Sequence, residues 1–536
     1  MSAPAAPDQT DFSRWRSFFW PVHSYELRKL IPMLMIFFLI NLDYNILRTL
    51  KDTLVVTAKS SGAEVIPFIK VWVMFPGAIL MTFLFTRLSN RLRREVVFYV
   101  MISTFLLYFF VFTFILYPAR DVLHPHATAD ALQTFLPAGF KGMVAMFRNW
   151  TFTSFYVMSE LWSNIILAML FWGFANQVTR LNEAKRFYGI FGIGANISGV
   201  FAGQASVFLC SNAYNTYLPF GEDAWEQSLI MLTGLILLSG ILSIIVFRWM
   251  HKNVLTDSRF YHASESEPEG SIENGDAVSE KKLSMRDSFG YLFRSPYLLS
   301  MAAIVVSYNL VINLVEVVWK HEVKALYPNP SDYNQYMNQV STIIGALATL
   351  TALFVSGNSI RRFGWTFTAM LTPAILLVTS IGFFACFFLK PYMTDTLPYI
   401  GASTLAIAVF FGSAQNILSR AAKYTVFDAT KEMAFVPLSP ESKLKGKAVI
   451  DGIGSRLGKS GGSLIHQSLL LTFATITASA PFVAGFLFTA IIIWMGATRT
   501  LGKQFGELTA PGQKPLPTPP RSPLVLDSAL QETQVV

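Results

Sequence analysis

Charge is scarce in this sequence. Asp, Glu, Lys and Arg make up 14% of its 536 residues, while 53% are hydrophobic. Soluble domains carry about 25% charged residues. A chain of this composition cannot hide its apolar surface from water by packing alone, and a bilayer is the solvent that accepts it. Cysteine is scarcer still: Cys210 and Cys386 each fall in or beside an apolar run. That pattern argues against a disulfide framework and against a thiolate metal centre. His251, His321 and His466 are scattered without metal-ligand spacing, and no catalytic signature stands out. No enzyme activity, cofactor or metal is expected. Nor does a short apolar core with a cleavage site precede the first long apolar run, since Met1 to Phe12 is polar and rich in Ala and Pro. The first span is expected to act as its own insertion signal.

What is abundant is apolar sequence in lengths of about 20 residues, the span of a transmembrane helix. Such runs lie near 31–50, 66–87, 96–117, 150–178, 188–210, 228–249, 297–319, 338–357, 366–389, 398–419, 448–473 and 477–498. The expected fold is an all-α polytopic membrane protein of about twelve transmembrane helices. The formal net charge of +9 follows from topology rather than from affinity for nucleic acid. Most Lys and Arg fall on alternate connections, among them Arg87, Arg91, Arg93 and Arg94, then Lys185 and Arg186, Arg361 and Arg362, and the stretch 420–447. The excess of positive charge on cytoplasmic loops places both termini in the cytoplasm, and that requires an even number of spans.

The longest polar break falls at the middle. The chain divides into a cytoplasmic N-terminus at 1–29, a six-helix half at 30–252, a disordered cytoplasmic linker at 253–287, a second six-helix half at 288–505 and a disordered tail at 506–536. The linker includes Ser264-Glu265-Ser266-Glu267-Pro268-Glu269, a composition unable to build a core. The segment 119–149 is expected to be an external loop. The halves repeat. Asn41, Asn45, Arg48 and Asp52 stand at i, i+4, i+7, i+11, and Asn309, Asn313, Glu316 and Lys320 reproduce that spacing on the first span of the second half. Phe171, Asn176 and Arg180 likewise match Phe411, Asn416 and Arg420. Six-plus-six repeats with a cytoplasmic linker are the layout of major-facilitator-type transporters, whose substrate sits near the midplane between the halves.

Charges inside spans cost about 2.5–3.5 kcal/mol each on insertion scales, so they mark cavities, partners or substrates. Glu160 shares a helical face with Thr153, Tyr156, Ser163 and Asn164; Glu316 follows Asn313; Arg48, Lys51 and Asp52 end the first span. For each, an interhelical ion pair or snorkelling to the interface is the structural alternative to solute binding. Lys443, Lys445 and Lys447 lead into a segment with Gly452, Gly454, Gly458, Gly461 and Gly462, and Arg456 and Lys459 lie within it. Small residues let helices approach closely, and cations along one such helix suit a polyanionic substrate. Gly454-Ser455-Arg456-Leu457-Gly458-Lys459-Ser460 is not a phosphate loop, because the four-residue spacing between its glycines is missing. Aromatics near Glu160, including Trp150, Phe152, Tyr156 and Trp162, could include one that stacks on a base.

Several segments resemble the ATP/ADP translocases of obligate intracellular bacteria, chlamydial type, and of plastids: Ile46 to Val55, Gly62 to Lys70, Ser159 to Trp162, Lys431 to Leu438 and Lys445 to Asp451. The resemblance runs from about Phe18 to about Lys503. It implies a nucleotide transporter of major-facilitator-like fold in a bacterial inner membrane, a monomer with ATP and ADP as substrates. It also implies two functional lysines and two functional glutamates, which fall by motif on Lys51, Glu160, Glu316 and the Lys445–Lys447 stretch. Lys447 is favoured because Lys185 holds the equivalent repeat position, and Lys445 stays open. Arg48, Tyr156, Asn164 and Asn313 complete the expected substrate site. Exchange of ATP for ADP plus phosphate is the first functional expectation. A proton-coupled nucleotide symporter, with Glu160 or Glu316 carrying the proton, and a broader ribonucleotide exchanger are the alternatives. A membrane receptor or enzyme without transport is the remote one.

Overall fold

The computed structural model describes residues 22–179, 181–210, 213–257, 295–354, 356–392, 403–438, 446–447, 449–450 and 454–509. Among these residues all regular structure is helical. Twelve long helices follow one another: α1 (Ser24–Thr57), α2 (Val65–Arg91), α3 (Arg94–Leu116), α4 (Trp150–Val178), α5 (Leu181–Leu209), α6 (Ala224–Asn253), α7 (Pro296–Leu326), α8 (Pro330–Phe354), α9 (Arg362–Leu389), α10 (Thr404–Ala434), α11 (Ser455–Phe473) and α12 (Ile476–Thr509). All but α8 and α11 are both long and apolar enough to cross a membrane. The reason for the two exceptions is their position. α8 carries Asn334 and Asn338 buried at its start and packs on α1, α5 and α10, while α11 packs on α2, α7 and α12. Each lies along the seam between the halves, where polar side chains find partners.

The repeat is visible in the packing. α1 lies against α4, α5 and α6, and α7 lies against α10, α11 and α12. Each half has an aromatic core of its own. Phe37 packs on Phe171 at 4.4 Å and on Phe191 at 5.6 Å in the first. Tyr308, Phe427 and Trp494 form the second, with ring centroids 4.5–5.7 Å apart. Helix starts are capped as polar side chains allow: Asp223 accepts from the Glu226 amide, Ser295 from Leu298 just before Pro296, and Ser403 from Ala406. Glycines set close helix approach. A Cβ on Gly458 would meet the Val306 carbonyl at 2.7 Å, and one on Gly345 would meet the Asn196 carbonyl at 2.7 Å. The first crossing joins α11 to α7, as the glycine-rich sequence implied. The second joins α8 to α5 across the halves.

Several expected boundaries shift. α1 begins at Ser24, inside the segment expected as N-terminal tail, and α12 continues to Thr509, because hydropathy reports the membrane crossing and not the helix turns that extend beyond it. The expected external loop contains three short α-helices, Arg120–Leu123, His126–Phe135 and Lys141–Arg148, and the 3-10 turn Ala138–Phe140. The expected linker from 258 on, and the tail from 510 on, lie outside the described residues.

Twelve helices running alternately up and down put the start of α1 and the end of α12 on one side of the described residues, called here the chain-end side. The halves meet at the other side. Gln335 donates to the Cys210 carbonyl at 2.6 Å, Lys324 donates to the Ser61 carbonyl, and Gly139 packs against the backbone of Leu471. Towards the chain ends, α2 from Phe75 to Arg91 has no buried residue, and Gly189 and Gly192 of α5 face open space. Gly189 and Gly192 lie on the same α5 face as Gly203, which packs against Asn338 and Thr342 of α8, so the halves part towards the chain-end side and touch on the opposite one.

Candidate functional site

Where the halves close, six charged side chains form one continuous chain. Successive residues on a helix point about 100° apart, so Lys51 and Asp52 at the end of α1 face different neighbours. Lys51 turns to α4 and pairs with Glu160 at 3.0 Å; it also touches Asp52 at 3.0 Å. Asp52 turns to the other half and pairs with Lys320 of α7 at 2.7 Å. Lys320 pairs with Glu316 one turn earlier at 2.9 Å, and Glu316 pairs with Arg420 of α10 at 3.2 Å. Three carboxylates and three cations thus run from α4 through α1 and α7 to α10, and their formal charges cancel.

Burial explains why they pair. The side chains of Lys51, Asp52 and Lys320 are 5%, 3% and 2% exposed. Isolated charges so deeply buried would cost several kcal/mol each, and mutual pairing offsets that cost. Neutral groups finish the layer. The Lys51 ammonium lies 3.9 Å from the centre of the Tyr156 ring, a favourable cation–π distance. Thr49 donates to Asn338 Oδ1 across the halves at 2.9 Å. The void beside Asp52, Glu316 and Arg420 measures about 10 Å³, room for about one water, so the layer is shut. Glu160, with 32% of its side chain exposed, is the member reached from the open cavity.

Two more cations stand beside this neutral chain. Arg48 and Lys70 have no carboxylate within 4.0 Å among the described residues. Arg48 lines the same void, one turn before Asp52. Lys70 of α2 makes a 3.5 Å contact with Asn313 Oδ1. The cluster carries a formal surplus of two positive charges at its cavity side, which is a setting for an anion. A larger cavity of about 470 Å³ lies beyond the closed layer, lined by Lys59 and Arg120 but also by Asp121 and Asp223, and has no such surplus.

The structure brings together Arg48, Lys51, Tyr156, Glu160, Asn313 and Glu316 of the expected site. Asn313 donates to the Lys459 carbonyl at 3.0 Å and accepts from Lys70. Asn164 is exposed and makes no hydrogen bond among the described residues. Lys447 stands apart: it pairs with Glu432 at 2.6 Å, is 46% exposed, and follows Gly446, which packs near Leu298 at the chain-end start of α7. Lys445 lies outside the described residues. Asp52, weighed above as an in-span charge, and Lys320, Arg420 and Lys70, which were not among the expected site residues, also belong to the cluster. For the first three the signal was the repeat, which places Asp52 and Lys320 at equivalent positions with opposite charge. For Lys70 it was the single charge within the apolar run Val65–Met74.

Three of the helices carrying these groups, α2, α4 and α10, are locally unwound. π-helical turns, frequent at functional sites, occur at Ile69–Met74 in α2, which contains Lys70, at Ser163–Phe171 in α4, just after Glu160, and at Lys423–Phe427 in α10, just after Arg420.

The model of the TLC ATP/ADP transporter family matches residues 6–505. A protein of Chlamydia trachomatis named ADP,ATP carrier protein 1 is 45% identical over 94% of this chain and 94% of its own length. ADP,ATP carrier protein 1, chloroplastic, of Arabidopsis thaliana is 40% identical over 90% of this chain and 74% of its own. Among solved structures, a D-xylose-proton symporter superposes with a TM-score of 0.51 at 13% identity, covering 92% of this chain and all of that one. That likeness concerns the fold, and it is the major-facilitator arrangement expected from the repeats.

Proposed function

Because the chain belongs to the TLC ATP/ADP transporter family, we propose that it exchanges ATP for ADP across the membrane by alternating access, with the charge cluster between its halves as the nucleotide site. The observation that carries this reading is the neutral six-membered ion-pair chain joining the halves, with Arg48 and Lys70 left over beside it. An exchanger must not cross empty. In the empty state each buried cation has a carboxylate, and breaking one such buried pair without replacement costs about 3–5 kcal/mol. A polyphosphate supplies the replacement. As it approaches from the open cavity it meets Arg48 and Lys70, then competes with Glu160 for Lys51 and with Glu316 for Arg420. Once the cations hold phosphate oxygens, the Asp52–Lys320 tie between the halves loosens and the opposite side can open.

In this scheme Lys51 and Arg48 hold phosphates, Asn164 and Asn313 offer hydrogen bonds to the nucleoside from the cavity wall, and Tyr156 keeps Lys51 in place from below. Lys447, with Lys445 beside it in sequence, gathers nucleotide at the chain-end mouth, where its exposed pair with Glu432 exchanges readily. Phosphate leaving with ADP balances the exchange. The protein would sit as a monomer in a bacterial inner membrane with both ends cytoplasmic, in keeping with the basic residues on that side. Glu316 touches two cations and Glu160 one, which is the setting of counter-ions rather than of proton carriers and favours exchange over proton symport.

The test is labelled ATP uptake into proteoliposomes loaded with ADP. Charge-assisted contacts contribute about 1.5–3 kcal/mol each, so Lys51→Ala and Glu160→Gln should slow exchange by about ten- to a hundredfold. Wild-type rates in both variants would remove the cluster from the substrate path.

A further inference from the structure

The turn from α2 into α3, at the chain-end side, carries four arginines: Arg87, Arg91, Arg93 and Arg94. The end of α6 adds Arg248, which follows Phe247, and the Phe247 ring stacks on Phe98 of α3 at 3.7 Å. All five arginines are exposed. None has a carboxylate within 4.0 Å among the described residues. Arg94 donates to a neutral group, Gln177 Oε1, at 3.0 Å. From residue 75 to residue 111 Glu95 is the one carboxylate, and it accepts from the Tyr99 hydroxyl at 3.0 Å. Five cations against that single carboxylate leave a formal surplus of four positive charges at one corner of the first half.

The helix leading to this corner is bare. Phe75, Ile79, Phe83, Arg87 and Arg91 follow one another at four-residue intervals, which makes them one ridge of the helix surface. The three apolar members are 58–59% exposed, and no residue of α2 from Phe75 to Arg91 is buried. A Cβ on Gly77 would meet Val157 of α4 at 3.3 Å, so the ridge lies on the face turned away from α4. At 1.5 Å per residue it runs about 18 Å from Phe75 to Arg87, slightly more than half of a hydrocarbon core of about 30 Å. The apolar members therefore stand at the depth of acyl chains in the chain-end leaflet, and the guanidiniums stand at its headgroups.

Topology alone asks only for positive charge on such a turn, and lysine meets that need as well as arginine. Here all five cations are arginine, whose planar fork takes two phosphate oxygens at once. A basic pocket between helix ends above an apolar wall suits an anionic lipid headgroup. We propose that α2 and the α2–α3 turn bind one anionic phospholipid of the chain-end leaflet. Its phosphate rests on Arg87, Arg91, Arg93 and Arg94 with Arg248 alongside, and an acyl chain lies along Phe75, Ile79 and Phe83. The lipid covers the face of α2 that no side chain of the protein covers. This site is separate from the charge cluster between the halves.

Native mass spectrometry of the purified full-length protein measures binding of phosphatidylglycerol, phosphatidylcholine and glycerol 3-phosphate. Two paired variants remove the site's charges: Arg87→Gln with Arg91→Gln, and Arg93→Gln with Arg94→Gln. A control pair, Arg499→Gln with Lys503→Gln, removes two exposed charges from the same side at the end of α12. The wild type should bind phosphatidylglycerol at least about tenfold more tightly than phosphatidylcholine. Each site pair should lose about tenfold or more of that affinity, and the control pair should stay within about twofold of wild type. Glycerol 3-phosphate offers a phosphate without acyl chains and should bind at least about tenfold more weakly than the lipid. If a paired variant is not monodisperse, Arg87→Gln and Arg91→Gln singly should each cost about threefold or more. Equal binding of the two lipids by the wild type overturns the proposal. So does an equal loss in the control pair, which would make total charge the only determinant. Glycerol 3-phosphate bound as tightly as the lipid overturns it as well, because the arginines would then hold free phosphate.

Discussion

The tie between the halves is the Asp52–Lys320 pair, and its removal should unlatch the closed side. At 2.7 Å and an effective dielectric of about 20 the raw attraction is about 6 kcal/mol. Desolvation cancels part of this, and truncating one partner of a buried pair typically costs about 3–5 kcal/mol. Asp52 keeps Lys51 at 3.0 Å when Lys320 is removed, so the lower end applies. Lys320→Met should shift the balance between the two faces by about a hundredfold towards opening of the side away from the chain ends. Spin labels at Val122 and Tyr392 report it directly, since both are exposed, at 90% and 83%, on that side of opposite halves. In a background with Cys210 and Cys386 replaced by serine, the unliganded protein should show one short distance, Lys320→Met a second, longer one, and Lys320→Arg the short one again. Asp52→Asn combined with Lys320→Met should cost less than the sum of the single changes, because neither leaves the other's charge stranded. An unchanged distance distribution in Lys320→Met, or strict additivity in the double variant, would refute the latch.

Two further consequences follow from the same closed side. Gly345→Val places side-chain atoms where the Asn196 carbonyl and the Val200 amide already sit at 2.7 and 3.1 Å from a Cβ. Overpacking costs about 1–3 kcal/mol, so the longer spin-label distance should appear and exchange should slow, whereas unaltered exchange and distances would mean that the α5–α8 seam is not tight when shut. In the segment between α3 and α4, His124 is buried with Nε2 2.6 Å from Thr151 Oγ1, and burial, aided by nearby His126, lowers its pKa from 6.5 to about 4. The unfolded chain then binds more protons than the folded one between those values. The stability from this group is fully present above pH 6.5 and is lost as pH falls through about 4. The melting temperature should decline across that window, and His124→Asn should flatten the decline; an identical slope in the variant would disprove it.

Most of the architecture could be read from the chain because bilayer thickness imposes its own length on apolar runs. The runs near 31–50 and 297–319 correspond to α1 and α7, with further helix beyond the apolar run that, from Lys51 on α1 and from Lys320 on α7, packs into the closed layer between the halves. Lys51, Glu160 and Glu316 stood out because a charge in an apolar run is costly and conspicuous. Their partners were harder to find. Asp52 pairs with Lys320 across 268 positions of sequence, and nothing local to either residue announces the other. The repeat did place them at equivalent positions, and the pseudo-twofold relation between halves brings such positions face to face. Lys447 shows the converse limit. A lysine entering a glycine-rich segment reads as a site residue, yet its ammonium is satisfied by Glu432 at the exposed mouth, some distance along α7 from the closed layer. Lys70 was hidden by its setting in an otherwise ordinary apolar run, and only the unmatched contact with Asn313 separates it from a snorkelling lysine.

The central claim is obligatory exchange of nucleotide through this cluster. Counterflow tests it most directly: proteoliposomes holding ADP, ATP or buffer alone receive labelled ATP, with and without a pH gradient. The account predicts rapid uptake into vesicles holding ADP or ATP, negligible uptake into those holding buffer, and no effect of collapsing the pH gradient. Equal uptake into buffer-filled vesicles, driven by the gradient, would contradict it.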